Sequence, residues 1–259
     1  MHSDWIVPDW PAPRSVRAVC TTRQGGVSLP PYDSLNLGDH VGDDPGAVAR
    51  NRGVLTRALG ARAIFLQQVH GSHVVKLDET TRDGMQADGC VSVHAKLACT
   101  IMVADCLPVL FTDSEGKAVA AAHAGWRGLA GTGGVGVLEK VGQALWDALH
   151  TPSADAARNT IAWLGPCIGP QAFEVGDEVK LAFESRNREA GAMFKPHGQG
   201  KWLADLAGLA RLRLANMGIT QVHGNDGTAG WCSATNPSRF FSHRRDRVSG
   251  RFAACIWLD

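Results

Sequence analysis

The chain has 259 residues, of which 44% are hydrophobic and 20% are charged. This is the composition of an ordinary globular protein, and it excludes a disordered chain, collagen and a coiled coil. The 26 Lys and Arg residues balance the 25 Asp and Glu residues, so the formal net charge is only +1. Because no strong field favours nucleic acid or an anionic membrane, we expect neither as a partner.

The N-terminal segment and the cysteine pattern both favour the cytoplasm. Residues 1–15 contain three prolines and an early Asp, and they lack the basic and apolar regions of a secretory signal. The longest apolar runs, such as 97–104, are shorter than the ~20 residues that a membrane-spanning helix needs. Seven cysteines without a C-x-x-C pair form a poor disulfide framework, so we expect free thiols.

Short apolar runs bounded by turn residues predict a series of β-strands. In chain order these are Val16–Thr22, Ile64–Val69, His73–Leu77, Gly89–Ser92, Ala98–Met102, Pro108–Phe111, Ala118–His123, Thr160–Leu164 and Phe252–Trp257. Most of these runs are predominantly apolar, with Gly and Pro residues between them as turn signals.

Two stretches carry apolar residues at three- and four-residue steps and are predicted to be helices. One lies between Val135 and Leu149, and the other lies between Leu203 and Met217. Asp205 suits the first turn of the second helix because its charge complements the helix dipole, and Gly218 suits the position after the helix end. Since strands outnumber helices without strict alternation, we predict a mixed α+β fold, within the broad α/β class, with mixed sheets flanked by helices.

Three candidate metal ligands lie at or just beyond the ends of predicted strands. They are His70, Cys106 and His123, each followed within two residues by Gly or Pro. Strand ends on one edge of a sheet can meet in space, so these side chains could converge although they are distant in sequence. Two imidazoles and one thiolate suit zinc, and three protein ligands leave a fourth position open for catalysis. The spacing alone leaves open that the histidines are structural.

The motifs around these residues resemble those of the YfiH family. This family was once described as multicopper polyphenol oxidases or laccase-domain proteins, and later as zinc-dependent purine nucleoside phosphorylases. The resemblance covers nearly the whole chain and implies one domain over residues 1–259. It rests on Thr21–Ser28, Ser34–Gly38, Val41–Asp44, Asn51–Arg52, Gln67–Gly71, Ala87–Gly89, Ala104–Val109, His123–Gly128, Gly165–Gly169, Phe240–Asp246 and Gly250–Arg251.

The resemblance implies that His70, Cys106 and His123 bind one zinc ion, with copper as the other candidate metal. It implies phosphorolysis of adenosine, inosine, guanosine or methylthioadenosine to the base and a pentose 1-phosphate, accompanied by adenosine deaminase activity. It also implies the fold type shared with certain toxin deamidases. One departure is His243, which stands where the family more usually has Tyr.

The resemblance also supplies candidates for the remaining roles. Asp88 and Asp105 could orient a ligand histidine or act as general acid or base, although each could equally be a turn residue that bonds its own backbone. Guanidinium groups fit phosphate bidentately, but a surface Arg is equally common. The predicted substrate- and phosphate-binding residues are Arg23, Asn36, Arg52, Gln68 and Arg127. The glycine-rich stretch Gly131–Gly136 is the alternative anion site.

Other functions remain open at this point. In a metal-free amide hydrolase, Cys106 would be the nucleophile and His123 its base. The older family description favours a copper-dependent polyphenol oxidase, but the ten histidines form no H-x-H pair. A quality-control role in cell-wall precursor synthesis, attributed to some bacterial relatives, is neither supported nor opposed by the sequence.

Overall fold

In the computed structural model, which describes residues 2–259 apart from the side chains of residues 153 and 154, the apolar runs form three β-sheets. The strands are β1 (Val16–Cys20), β2 (Arg62–Phe65), β3 (Val74–Lys76), β4 (Gly89–Ser92), β5 (Leu97–Val103), β6 (Leu107–Asp113), β7 (Val119–Ala124), β8 (Thr160–Leu164), β9 (Glu174–Gly176), β10 (Phe194–Pro196), β11 (Lys201–Ala204), β12 (Gln221–Gly224) and β13 (Phe252–Leu258). The helices are α1 (Pro45–Leu59), α2 (Trp126–Ala130), α3 (Val137–Leu149), α4 (Ser153–Asn159), α5 (Asp177–Glu184), α6 (Leu206–Asn216) and α7 (His243–Asp246).

The two larger sheets are mixed. The four-stranded sheet has the order β1-β13-β5-β2, and the six-stranded sheet has the order β12-β8-β6-β7-β4-β3. Strands β2 and β5, β3 and β4, and β8 and β12 pair in parallel, whereas β6 and β7 pair antiparallel. A small antiparallel sheet with the order β10-β11-β9 completes the set. This architecture confirms the predicted mixed α+β class.

The two larger sheets pack face to face, and helices cover their outer faces. Along β5, Leu97, Cys99, Ile101 and Val103 lie in the core between the sheets, whereas Ala98 and Met102 lie in the core under α1. Helices α3 and α6 contribute to the core on the far side of the six-stranded sheet. Because the central strands are buried on both faces, their sequences are predominantly apolar, which is the signal that predicted them.

The two predicted helices are present, but both begin later than predicted, and the first begins at Val137 rather than Val135. The second begins at Leu206 rather than Leu203, which belongs to β11. Asp205 is the residue that caps this helix, and its side chain accepts a hydrogen bond from the Gly208 N–H at 2.8 Å. Gly218 follows the helix end with a left-handed φ of 85°, as predicted.

Helix α1 was not predicted, although its start carries a recognisable signal. Asp44 caps it by accepting from the Ala47 N–H, and Pro45 follows as the first helical residue. Its buried stripe includes the polar Asn51, which weakens the apolar periodicity. Within the part of the chain that the structure describes, no helix combines the length and the hydropathy needed to cross a membrane.

Candidate metal centre

The three candidate ligands come from two loops and one strand of the two large sheets. His70 lies in the loop after β2 in a left-handed conformation, with φ 61°. Cys106 lies in the tight turn between β5 and β6, and His123 is the penultimate residue of β7. The antiparallel register of β6 and β7 places Pro108 opposite His123, which brings the Cys106 turn beside it. One ligand atom from each residue lies within 4.8 Å of the others.

The local geometry suits a tetrahedral ion. Sγ of Cys106 lies 3.7 Å from Nε2 of His70. Two such ligands of one tetrahedral zinc ion would be separated by about 3.6 Å, given the usual zinc–sulfur and zinc–nitrogen distances. Gly125 leaves the space that these side chains occupy, because a Cβ there would lie 2.9 Å from both Cys106 Sγ and His70 Cδ2.

Asp88 is fully buried, and its carboxylate connects two of the ligands. Oδ1 accepts hydrogen bonds from Nδ1 of His123 at 2.8 Å and from the His70 N–H at 2.9 Å. Oδ2 accepts from the Gly71 N–H at 2.7 Å. Burial would raise the pKa of Asp88, but the hydrogen bond from His123 and those from the loop lower it. With Asp88 ionised, His123 keeps its proton on Nδ1 and leaves the Nε2 lone pair for a metal.

The thiol of Cys106 is strongly perturbed in the metal-free protein. Burial would raise its pKa, but the imidazoles of His123 and His70 outweigh that effect and lower the pKa to about 6. Burial would lower the pKa of His123, whereas the negative charges of Cys106 and Asp88 raise it to about 9. A thiolate at neutral pH is the form that binds a metal, and it is also the form that acts as a nucleophile.

The ligands open onto a cavity of about 430 Å³, a volume that suits a small-molecule ligand. Its wall combines apolar side chains with a few cationic and imidazole groups. The lining residues are His40, Gln68, His70, Met102, Val103, Ala104, Asp105, Cys106, His123, Trp126, Ile168, Phe173, Leu206, His243, Arg244 and Arg251.

The two candidate carboxylates differ in their contacts. Asp88 holds His123, whereas the oxygens of Asp105 are engaged elsewhere. Oδ1 of Asp105 accepts from Ser233 Oγ and Oδ2 accepts from the Arg244 N–H, both at 2.6 Å. Asp105 therefore fastens the turn that carries Cys106 to the start of α7, and the orienting position beside a ligand histidine is taken by Asp88.

Three of the predicted substrate-binding residues lie at or near the cavity. Gln68 lines it, but its amide group exchanges two hydrogen bonds with the backbone of Met102, both at 2.8 Å. Arg52 lines a neighbouring recess, where it packs over the Phe65 ring and pairs with Asp39. Arg127 is exposed, with its guanidinium over the ring of Trp126.

The other two, Arg23 and Asn36, are bonded within the chain and do not belong to the described cavity lining. Arg23 donates to the carbonyls of Asp33 and Pro237. Asn36 is fully buried, and its Oδ1 accepts from the backbone N–H groups of Gly38 and Arg251. The alternative anion site is also filled, because Glu139 accepts from the Gly136 N–H at the start of α3 and pairs with Arg213.

Sequence reasoning missed four polar residues of the cavity wall, namely His40, His243, Arg244 and Arg251. The last three lie within motifs that already carried the family resemblance, so the signal was present. They follow no periodic pattern, and only the tertiary structure shows that they face the ligands.

Comparisons with known proteins identify the family and the relatives of this chain. Residues 17–259 match the family described as multi-copper polyphenol oxidoreductase laccase. A Pseudomonas aeruginosa protein named purine nucleoside phosphorylase is 50% identical over 256 residues, which is 98% of each chain. An Escherichia coli protein named purine nucleoside phosphorylase YfiH is 49% identical over 258 residues, which is 99% of each chain. The crystal structure of a Neisseria meningitidis protein superimposes with a TM-score of 0.90 at 46% identity, covering 99% of this chain and all of that one.

Proposed function

The chain belongs to the family described as multi-copper polyphenol oxidoreductase laccase, which includes YfiH, and on this premise we propose that it is a zinc-dependent purine nucleoside phosphorylase. Residues 1–259 would form one cytoplasmic catalytic domain. It would split adenosine, inosine, guanosine or methylthioadenosine with phosphate. The observation that carries this proposal is the His70–Cys106–His123 group at the wall of a cavity large enough for a nucleoside. The cytoplasmic location is supported by seven free cysteines.

The donor set fits zinc. Two imidazoles and a thiolate are ligands that zinc accepts, and the low pKa of Cys106 supplies the thiolate near neutral pH. Copper binds the same donor types, so the ligand set favours zinc without excluding copper. A zinc ion with one open position supplies Lewis acidity, which would serve both phosphorolysis and the accompanying deamination of adenosine.

The chain's own residues would bind and position the nucleoside. In phosphorolysis a phosphate oxygen bonds to C1′ of the pentose while the C1′–N9 bond breaks, and the purine leaves with the electron pair and takes up a proton. Trp126 and Phe173 offer aromatic surface for the purine, and Ile168 adds apolar wall that excludes water. Burial and the nearby Arg251 lower the pKa of His40, so its imidazole stays neutral at pH 7 and can accept a hydrogen bond.

A second candidate function rests on the same three side chains. Without a metal, the two imidazoles beside Cys106 would activate its thiol as a nucleophile. A Cys–His amide hydrolase is therefore the competing proposal. The two proposals differ in their need for metal. A hydrolase would keep its activity after chelation, whereas the phosphorylase would lose it.

The test is an assay of the purified, zinc-loaded protein with inosine, with and without phosphate, that measures hypoxanthine. Phosphate-dependent release of hypoxanthine, absent from a Cys106→Ala variant, is the expected result. A parallel assay with adenosine measures ammonia for the deaminase activity. Equal hypoxanthine release without phosphate, or none under either condition, would contradict the phosphorylase.

A further inference from the structure

Two arginine side chains of the cavity wall form no ion pair with a carboxylate of the described residues. Arg244 and Arg251 both line the cavity beside the candidate metal ligands, and each is partly buried. Among the described residues, neither forms an ion pair with an Asp or Glu side chain, whereas the adjacent Arg245 pairs with Asp246. The negative charges near Arg251 are those of Cys106 and Asp105. A metal ion on Cys106 would neutralise that thiolate, so an anionic ligand would supply the counter-charge for the partly buried guanidinium.

The backbone and stem of Arg251 are fixed by buried contacts. Its N–H donates to Oδ1 of Asn36 at 2.8 Å, and its Nη1 donates to the carbonyls of Ser249 and Gly250 at 2.9 and 3.0 Å. Gly38 makes room for the stem, because a Cβ there would lie 2.8 Å from Cγ of Arg251. Nε and Nη2 make no hydrogen bond within the described chain, so these donors are left for a ligand.

The backbone and the guanidinium of Arg244 are likewise held by hydrogen bonds within the chain. Its N–H donates to Oδ2 of Asp105 at 2.6 Å, and its Nη1 donates to the Glu174 carbonyl at 2.9 Å. Its Nε and Nη2 have no hydrogen-bond partner in residues 2–259. Because Asp105 directly precedes Cys106, the carboxylate that holds Arg244 also ties it to the ligand turn. The guanidinium of Arg245, by contrast, donates hydrogen bonds to the Ser233 and Phe240 carbonyls.

The charges around the cavity favour an anion at this place. Asp105 is the one acidic residue in the described lining, and both of its oxygens already accept hydrogen bonds. A guanidinium whose backbone is already held loses little freedom on binding, and its planar fork matches phosphate oxygens. His40 adds no negative charge that would repel an anion, because its pKa is lowered and its imidazole is neutral at pH 7.

We propose that Arg244 and Arg251 together bind inorganic phosphate next to the metal centre. This inference rests on the proposed function, since it assigns the phosphate that would attack the nucleoside. It replaces the assignment to Arg23, Arg52 and Arg127, none of which belongs to the described lining of this cavity. A phosphate monoester, such as that of a nucleotide, has the same chemistry, and the experiment therefore separates the two sources.

The experiment measures phosphate binding by calorimetry on zinc-loaded protein. Arg244→Met and Arg251→Met should each weaken inorganic phosphate binding about tenfold or more, because each removes a charge-assisted contact. Arg251→Lys should restore part of the affinity, since it keeps the charge without the fork. Arg50→Met, which removes an exposed arginine from α1, is the control and should bind phosphate like the wild type. Thermal unfolding checks that each variant is folded.

Kinetic constants are a second measurement, and they would stay unchanged if the two arginines had only a structural role. Both cavity variants should raise the KM for phosphate more than the KM for inosine. Phosphate binding and KM values equal to those of the wild type in both variants would overturn the proposal. So would a larger effect of Arg127→Met than of either cavity variant.

The same experiment separates this proposal from the proposed function. If the wild type binds phosphate through the two arginines but releases no hypoxanthine from inosine, the site stands and the phosphorylase fails. If adenosine 5′-monophosphate binds in an arginine-dependent way while inorganic phosphate does not bind, the assignment to inorganic phosphate is overturned.

Discussion

Oδ1 of Asp88 lies 2.8 Å from Nδ1 of His123, and both side chains are buried. The same carboxylate receives the N–H groups of the His70 loop, so a single acidic side chain sets the ring orientation of one ligand and the backbone of another. A carboxylate that holds a ligand imidazole in this way also makes the imidazole a better metal donor.

Replacing Asp88 with Asn should weaken zinc binding about 10- to 100-fold, because the amide cannot accept all of these hydrogen bonds and cannot stabilise the imidazole by charge. Competition with a chromogenic chelator measures the affinity. Asp147→Asn is the matched control, since Asp147 is exposed on α3 and bonds only to Gln143 among the described side chains. Equal zinc affinities of the two variants would contradict the role given to Asp88.

Elemental analysis should find about one zinc ion per chain, as expected for one three-ligand site. His123→Ala should lose most of this zinc while the protein remains folded, because a core of this size does not depend on a metal. His70→Ala and Cys106→Ala should lose zinc as well. If all three variants retained their full metal content, the proposed metal site would be wrong.

Gly125→Ala should also weaken zinc binding, for a steric reason. The new Cβ would lie 2.9 Å from Cys106 Sγ and from His70 Cδ2, so both ligands must move. Gly230→Ala is the control, because a Cβ at that position meets nothing within 4 Å. Zinc content and thermal unfolding of the two variants are compared, and equal zinc content would show that the close approach at Gly125 is unimportant.

Removing zinc should speed the reaction of Cys106 with iodoacetamide. A zinc-bound thiolate has its lone pairs engaged and its charge neutralised, whereas the metal-free thiolate is free to react. Mass spectrometry locates the label, and the other six cysteines are buried and should react slowly. Rapid labelling of the zinc-loaded protein, with a covalent substrate adduct, would favour the Cys–His hydrolase.

The labelling rate of the metal-free protein should depend on pH in a definite direction. The pKa of Cys106 is lowered to about 6, so the reactive thiolate predominates above that pH. As the pH falls through about 6, the thiol becomes protonated and the rate should fall. An ordinary cysteine, with a pKa near 8.5, would already be slow at pH 7. A midpoint near 8.5 for Cys106 would contradict the described contacts with the imidazoles.

The class of fold and the three candidate ligands could be predicted from the amino-acid sequence alone. Runs such as 97–103 are apolar except for Thr100 because both faces of their strands are buried, and this composition predicts a central strand without tertiary information. The ligands could be named because imidazole and thiolate groups followed apolar runs inside motifs that resemble one family. Helix α1 escaped detection because the residue at the centre of its buried stripe, Asn51, is polar.

The residues that surround the ligands, by contrast, are identified only by the folded structure. Asn36 and Arg251 are far apart in sequence, yet the Asn36 side chain accepts a hydrogen bond from the Arg251 backbone, so a predicted substrate-binding residue contacts an arginine that lines the cavity. Likewise, Asp88 and Asp105 look equivalent as strand-end carboxylates, but the pairing of β4 with β7 brings Asp88 to His123 while Asp105 faces Ser233 and Arg244. Such contacts join distant segments, and because they depend on sheet register and loop direction, no local pattern in the sequence encodes them.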